Sequence, residues 1–175
     1  MLKVTDNPHG AVSFTVNGQH TVTYPEATMA LVDTLRDTLK LTGTHVGCQT
    51  ARCGACTIEL DGASVKACTV LTHQAEGAII NTIEGVADGP KLDRVQEAFR
   101  EKHALQCGFC TPGMVMSVRE LLRRNPNPTD DDIREGLKGN ICRCTGYQNI
   151  VRAVRSLATE QRAIRSAAGD VTGIG

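Results

Sequence analysis

Apolar and polar residues alternate from Ala11 to Val16 and again from Gln19 to Tyr24, with Asn17-Gly18 between them. A period of two marks a strand with one buried face, and Asn-Gly supplies the left-handed backbone that a two-residue hairpin turn needs. The period then lengthens. Leu31, Val32, Leu35 and Leu39 fall on one helical face, with Thr28 as a candidate cap and Gly43 as a candidate stop. Alternation returns at Ile58 and Leu60, reverses at Asp61-Gly62, and runs back from Val65 to Val70. Ile79 to Ile83 forms one further short strand. Hairpin, helix, hairpin and strand predict a small sheet with one helix across it.

After about Gly85 the pattern is helical. Gly89-Pro90 punctuates, and Leu92, Val95 and Phe99 recur at three- and four-residue steps. Thr111-Pro112 reads as a cap followed by a proline at the first helical position. Val115, Val118, Leu121 and Leu122 give the next helix its apolar face, and Asn125-Pro126 ends it. Thr129 with Asp132 three residues on has the form of a capping box; Ile133 and Leu137 follow, and Gly139 closes that helix. Ile150, Val151, Val154, Leu157 and Ile164 mark a last helix. The expected fold class is α+β, with a β-rich domain over residues 1–85, four helices over 86–168, and a small polar tail over 169–175.

Charge and composition narrow the function. Lys+Arg and Asp+Glu both number 19, and aromatic residues make up 3% of the chain. Neither a basic footprint nor stacking platforms for nucleic acid are present. The opening residues, Met1 to Asp6, have no apolar core of a secretory signal, and no apolar run approaches the roughly 20 residues of a transmembrane segment. A cytoplasmic location is the expectation. In a reducing compartment clustered cysteines point to metal or redox chemistry rather than disulfides.

The eight cysteines fall into two sets of four. Cys48, Cys53 and Cys56 are spaced C-x4-C-x2-C, with Cys68 twelve positions on. That is the plant-type spacing for a [2Fe–2S] cluster, which takes four thiolates. Gly47, Ala51, Gly54 and Ala55 keep the loop slim, so backbone N–H groups can approach the cluster. Cys68 is expected on the returning strand. A four-cysteine zinc site prefers tidier pairs and fits this spacing less well. The second set, Cys107-x-x-Cys110 with Cys142-x-Cys144, is compatible on spacing alone with zinc or with a cluster. Cys110 and Cys144 each lie just ahead of an expected helix start. Two helix N-termini would direct partial positive charge at one site, which favours a reduced, more negative centre.

Three segments carry a family resemblance. They are Val46 to Cys56, Gln106 to Met114 (Gln-Cys-Gly-Phe-Cys-Thr-Pro-Gly-Met), and Gly139 to Tyr147 (Gly-Asn-Ile-Cys-Arg-Cys-Thr-Gly-Tyr). Together they resemble the iron–sulfur small subunit of the molybdenum hydroxylases, the xanthine oxidase family, over roughly residues 10 to 160. The resemblance implies an N-terminal β-grasp, plant-type ferredoxin-like domain followed by a four-helix-bundle [2Fe–2S] domain. It implies that Cys48, Cys53, Cys56 and Cys68 hold the cluster near FAD. Cys107, Cys110, Cys142 and Cys144 would hold the cluster near a molybdenum–pterin cofactor. Gln106 and Cys144 match the residues that meet the pterin. The molybdenum cofactor and FAD would reside on a large and a medium partner subunit, usually in a dimer of heterotrimers. The chain itself would transfer electrons and carry no catalytic residue. A stand-alone two-cluster ferredoxin and a zinc-stabilised interaction module are the competing readings.

Other residues have plainer expectations. His45 and His103 precede cluster cysteines, but four thiols per set leave no need for histidine ligands, and both read as partly exposed polar groups. Arg52 and Arg143 sit inside the ligand motifs, where they could tune a cluster or simply be solvated. Arg152, Arg155, Arg162 and Arg165 read as a solvated helix face or a dock for an acidic partner. Met114 and Met116 read as core or interface filler. No helix follows the glycines of residues 169–175, so they form no dinucleotide loop.

Overall fold

The computed structural model describes residues 10–169, with side chains to Ala163. The residues read above for a leader, the tail from residue 170, and the side chains of Ile164 and Arg165 lie outside the described part. The first hairpin forms as its alternation requires. β1 (Val12–Val16) pairs antiparallel with β2 (Gln19–Thr23), Val12 opposite Thr23 and Val16 opposite Gln19. Asn17 and Gly18 take φ of 49° and 79°, as a tight two-residue turn demands. Val12, Phe14 and Val16 face inward.

β3 (Thr57–Leu60) and β4 (Ala63–Lys66) form the second hairpin, and β5 (Ile79–Asn81) lies between β1 and β3. β5 runs parallel to β1 and antiparallel to β3, giving a mixed sheet in the order β2-β1-β5-β3-β4. Against it packs a short helix, α1 (Leu31–Asp33), which widens into a π-turn over Thr34–Thr38. This helix differs from expectation at both ends. Ala30, not Thr28, occupies the N-cap position, and the first helical N–H, that of Leu31, bonds the Val70 carbonyl at 2.7 Å. The helix stops at Leu39, and Lys40 turns the chain with φ 61°. Gly43 serves contact instead. A Cβ there would lie 2.4 Å from Ile83 Cγ2, and its N–H donates to Glu84 Oε1 at 2.7 Å. The π-turn also explains why Thr34 is buried beside Leu31, Val32 and Leu35. Its hydroxyl pairs with that of Thr72 at 2.7 Å.

The second half builds its own core. α2 (Arg94–Glu101), α3 (Thr111–Arg124), α4 (Asp130–Leu137) and α5 (Gln148–Gly169) enclose Val95, Phe99, Met114, Val118, Ile133, Ile150, Val154 and Leu157. The Thr129–Asp132 capping box forms, with Asp132 N–H donating to Thr129 Oγ1 at 3.2 Å and Thr129 N–H donating to Asp132 Oδ2 at 2.8 Å. A second one, Asp93 with Gln96, starts α2. At α3 the expectation shifts by one residue. Cys110 is the N-cap, so Thr111 is the first helical residue and its hydroxyl caps nothing. α3 lies against β3 and β4, joining the two cores. The last-helix arginines are partly engaged, because Arg155 pairs with Asp130 and Arg162 Nε donates to Asn127 Oδ1 at 2.9 Å.

Candidate iron–sulfur sites

The first cysteine loop, between α1 and β3, is shaped by left-handed backbone. Gln49, Ala51 and Gly54 take φ of 56°, 58° and 72°. Such turns aim successive N–H groups inward. Thr50 N–H and Cys53 N–H each lie 3.4 Å from Cys48 Sγ. A Cβ on Gly47 would lie 2.9 Å from Cys53 Sγ, so only glycine lets the chain pass this close. Cys56 interacts with both Cys68 and Cys53, and the Cys53 N–H on Cys48 Sγ ties the fourth residue to this group. Cys68 is not on the returning strand. It sits in a 3-10 turn, Ala67–Thr69, just past β4. There Ala67 N–H donates to the Cys56 carbonyl at 3.1 Å, which holds the two cysteines abreast.

The second set gathers at the open end of the helical half. Cys107 and Cys144 sulfurs lie 3.5 Å apart, and Cys110 interacts with Cys142 and Cys107. Thr145 contributes its hydroxyl and N–H to Cys142 Sγ, at 3.1 and 3.5 Å. Cys107 and Cys144 are exposed, while Cys142 is buried. Gln106 is exposed beside Cys107. Around this end stand three large apolar side chains that remain open to solvent: Leu105 at 40%, Phe109 at 47% and Ile141 at 54%. Met114 lies in the helical core, and Met116 is also buried. Arg52, Arg143 and His103 are exposed.

The electrostatics divide the thiols. Hydrogen bonds from Thr50, then from the N–H of Cys53, pull Cys48 down to about 6. Burial pushes Cys56 and Cys110 up to about 12. The Phe109 N–H lowers Cys107. At Cys142 burial acts upward, but the Thr145 hydroxyl and N–H bring the thiol below its usual value. Buried thiols that keep their protons until a metal displaces them make loading a proton-releasing event.

A [2Fe–2S] cluster fits these residues. All eight cysteines are free thiols gathered in fours. Thr111 Oγ1, next to Cys110, is buried without a partner, a donor left over for a cluster sulfur. Among the described residues no three His, Cys, Asp or Glu side chains close on a single ion. A two-iron cluster shares its four thiolates between two metals and takes a wider set than one ion does.

The two sites are locked to one another by residues whose part the sequence reading missed. Asn140, 2% exposed, donates to the Gly54 carbonyl at 3.0 Å and to Thr57 Oγ1 at 3.2 Å. Its Oδ1 accepts from Ser117 at 2.8 Å and from Lys66 Nζ at 3.1 Å. Ile141 N–H donates to the Cys53 carbonyl at 2.8 Å, and Tyr147 Oη accepts the Cys142 N–H at 2.8 Å. His45 stacks on Phe109 with ring centroids 4.7 Å apart, its Nδ1 2.7 Å from the Phe109 carbonyl. The one sequence signal was Asn140 itself, a polar residue in the turn after α4, and nothing in that turn foretells its long-range partners.

This fold and these sites define an electron carrier with two [2Fe–2S]-binding domains. A 2Fe–2S iron–sulfur cluster binding domain matches residues 14–79, and a [2Fe–2S] binding domain matches residues 82–155. The gamma subunit of caffeine dehydrogenase from Pseudomonas sp. (strain CBB1) is 49% identical over 150 residues, spanning 84% of this chain and 90% of the relative. The small subunit of nicotine 6-hydroxylase from Paenarthrobacter nicotinovorans is 52% identical over 139 residues, spanning 79% and 84%. A chain of quinoline 2-oxidoreductase from Pseudomonas putida 86 superposes with a TM-score of 0.83 at 47% identity, over 87% of this chain and 96% of that one. The chain belongs to the small iron–sulfur subunits of the molybdenum hydroxylases, the xanthine oxidase family, and is thus part of an oxidoreductase.

Proposed function

We propose that the chain passes single electrons from a molybdenum–pterin centre on a large partner subunit to FAD on a medium partner subunit. The observation that carries this is the arrangement of eight thiols in two sets whose segments are hydrogen-bonded to each other, Ile141 N–H to the Cys53 carbonyl and the Asn140 amide to the Gly54 carbonyl. Cys107, Cys110, Cys142 and Cys144 would hold the cluster on the molybdenum side. Cys48, Cys53, Cys56 and Cys68 would hold the one on the FAD side. Each cluster, when bound, supplies a one-electron couple. The N–H groups of Thr50, Cys53 and Thr145 stabilise negative charge on the ligand sulfurs, and Asn140 keeps the two sites at a fixed spacing.

The exposed Gln106, Cys107 and Cys144, rimmed by Leu105, Phe109 and Ile141, suit a covered interface with the pterin-bearing subunit better than the surface of a free ferredoxin. The two separate cores and the two family segments support a division near residue 85, into 1–85 and 86–168. The family supports a dimer of heterotrimers. Free thiols throughout suit a reducing, cytoplasmic compartment. Among the described residues no helix is long and apolar enough to cross a membrane. The names of the relatives, caffeine, nicotine and quinoline enzymes, favour a nitrogen heterocycle as the substrate of the assembled complex. Iron, zinc and acid-labile sulfide analysis of the co-purified complex tests the reading. Two clusters, with a molybdenum and a flavin subunit attached, are expected; zinc without sulfide would refute it.

A further inference from the structure

Among the described residues, Lys66 is the one lysine turned into the seam between the two cysteine sites. It ends β4 directly opposite Thr57 of β3. Cys56 immediately precedes β3 and Cys68 lies two residues past Lys66, in the turn after β4, so candidate ligands flank it on both sides. Its ammonium donates to Thr57 Oγ1 at 2.7 Å and to Asn140 Oδ1 at 3.1 Å. A Cβ on Gly139 would meet Nζ at 3.5 Å, so the charge also lies against the segment that leads to Cys142. Both hydrogen-bond acceptors are neutral. The nearby Glu120 carboxylate is engaged elsewhere, accepting from Ser64 N–H at 2.7 Å and pairing with Arg124 at 2.5 Å. The cation is thus placed in a partly desolvated seam without a contact counter-ion, and there its field is screened less than at the surface. Its electrostatic partners are Cys56, Cys53 and Cys68, all of the first set, and Glu120.

We infer that Lys66 is a positioning charge that raises the reduction potential of the ferredoxin-like cluster relative to the helical-domain cluster. The inference rests on the two-cluster reading above. Reduction adds one electron from the donor, and one negative charge, to the cluster. A fixed ammonium beside three of its ligands stabilises that reduced state. In the relay this makes the step from the helical-domain cluster to the ferredoxin-like cluster more favourable. The neutral bonds to Thr57 and Asn140 hold the charge in place without cancelling it.

The test is a potentiometric titration, followed by EPR, of the purified complex carrying Lys66→Met, Lys66→Gln or Lys66→Arg. Ser117 still satisfies Asn140 Oδ1 in each variant, and the glutamine amide can replace the lost donor, so Lys66→Gln is the variant least disturbing to the fold. With full iron and sulfide content, Met and Gln should lower the midpoint of the ferredoxin-like signal and leave the other signal closer to its original value. Arg should restore the gap. An unchanged gap in a fully loaded Met or Gln variant overturns the inference, whatever happens to thermal stability. Loss of the first cluster in both neutral variants also overturns it, because Lys66 would then be a folding residue. Wild-type complex lacking iron and sulfide would instead sink the two-cluster reading itself.

Discussion

The side-chain amide of Asn140 donates to the carbonyl oxygen of Gly54 at 3.0 Å, fastening the segment that leads to one cysteine set onto the loop that carries the other. The same amide group accepts from Ser117 and Lys66, so one buried side chain collects partners from β4, α3 and the first cysteine loop. Buried polar networks of this kind favour one arrangement, because every alternative leaves a group unpaired.

Asn140→Leu should therefore loosen the seam rather than either core. The Gly54 carbonyl keeps its bonds from Thr57, but the Ser117 hydroxyl and the Lys66 ammonium lose an acceptor, at a cost of about 1–3 kcal/mol for a buried group left unsatisfied. Denaturant unfolding followed by circular dichroism and by cluster absorption should show lower midpoints for both probes. Unchanged midpoints would remove Asn140 from this role.

Gly113 tests the same seam by shape. A Cβ there would lie 2.2 Å from the Gly54 carbonyl oxygen, and both partners are backbone, so no rotamer change can relieve the contact. Gly113→Ala should destabilise by at least the about 1–3 kcal/mol typical of overpacking. Gly139→Ala is the control, since its Cβ would find only ordinary contact with Lys66 at 3.5 Å. Equal thermal stability of the two variants would contradict the packing argument.

Local chemistry was legible in the sequence wherever one short segment decides it. Asn17-Gly18 set the first hairpin and Thr129 with Asp132 set a helix start, because each needs only its neighbours. The four helices and the small sheet followed from periodicity. Most of the errors lie where distant residues decide. Gly43 resembled a helix stop but makes room for Ile83, forty residues on, and the π-turn after Asp33 answers to Thr72. Thr111 resembled a cap, but Cys110 takes that position. The cysteine spacing grouped residues that the structure also brings together, yet it was silent on Asn140, Lys66 and the His45–Phe109 stack. Those contacts join segments that are far apart in the chain, and no local pattern encodes them.

Asp132 gives the fold a pH dependence of known sign. Hydrogen bonds from the Thr129 N–H and hydroxyl hold its carboxyl below the ordinary aspartate range. A depressed carboxylate adds stability above its unfolded value and loses it as pH falls through the folded value. Asp132→Asn should reduce stability at neutral pH and flatten the decline in the acid range below about pH 4. Thermal unfolding of both proteins across that range is the check, and parallel curves would exclude the effect.

Gln106→Ala should retain both clusters, because an amide is no substitute for a thiolate ligand, yet slow electron arrival from molybdenum. Its exposed amide can both donate and accept, which suits a pterin edge. Single-turnover reduction of the clusters by substrate, unchanged from wild type, would count against this contact.

The order of the relay can be read from two ligand variants. Cys53→Ser should damage the ferredoxin-like cluster, since Cys53 lies within the tight triple and interacts with Cys48 and Cys56. Cys107→Ser should damage the helical-domain cluster, because Cys107 stands 3.5 Å from Cys144 at the exposed end. In assembled complexes the two should differ in where electrons stop. The Cys53 variant should let substrate reduce molybdenum and the remaining cluster while flavin stays oxidised. The Cys107 variant should reduce molybdenum alone, leaving an intact ferredoxin-like cluster and flavin both oxidised. Rapid mixing followed by EPR resolves each centre, and iron analysis verifies which cluster is missing. The seam argues that electrons cannot bypass the helical site, because the exposed cysteines that would face the pterin, Cys107 and Cys144, both belong to it. Normal flavin reduction in a Cys107 variant proven to lack its cluster would reverse the proposed order.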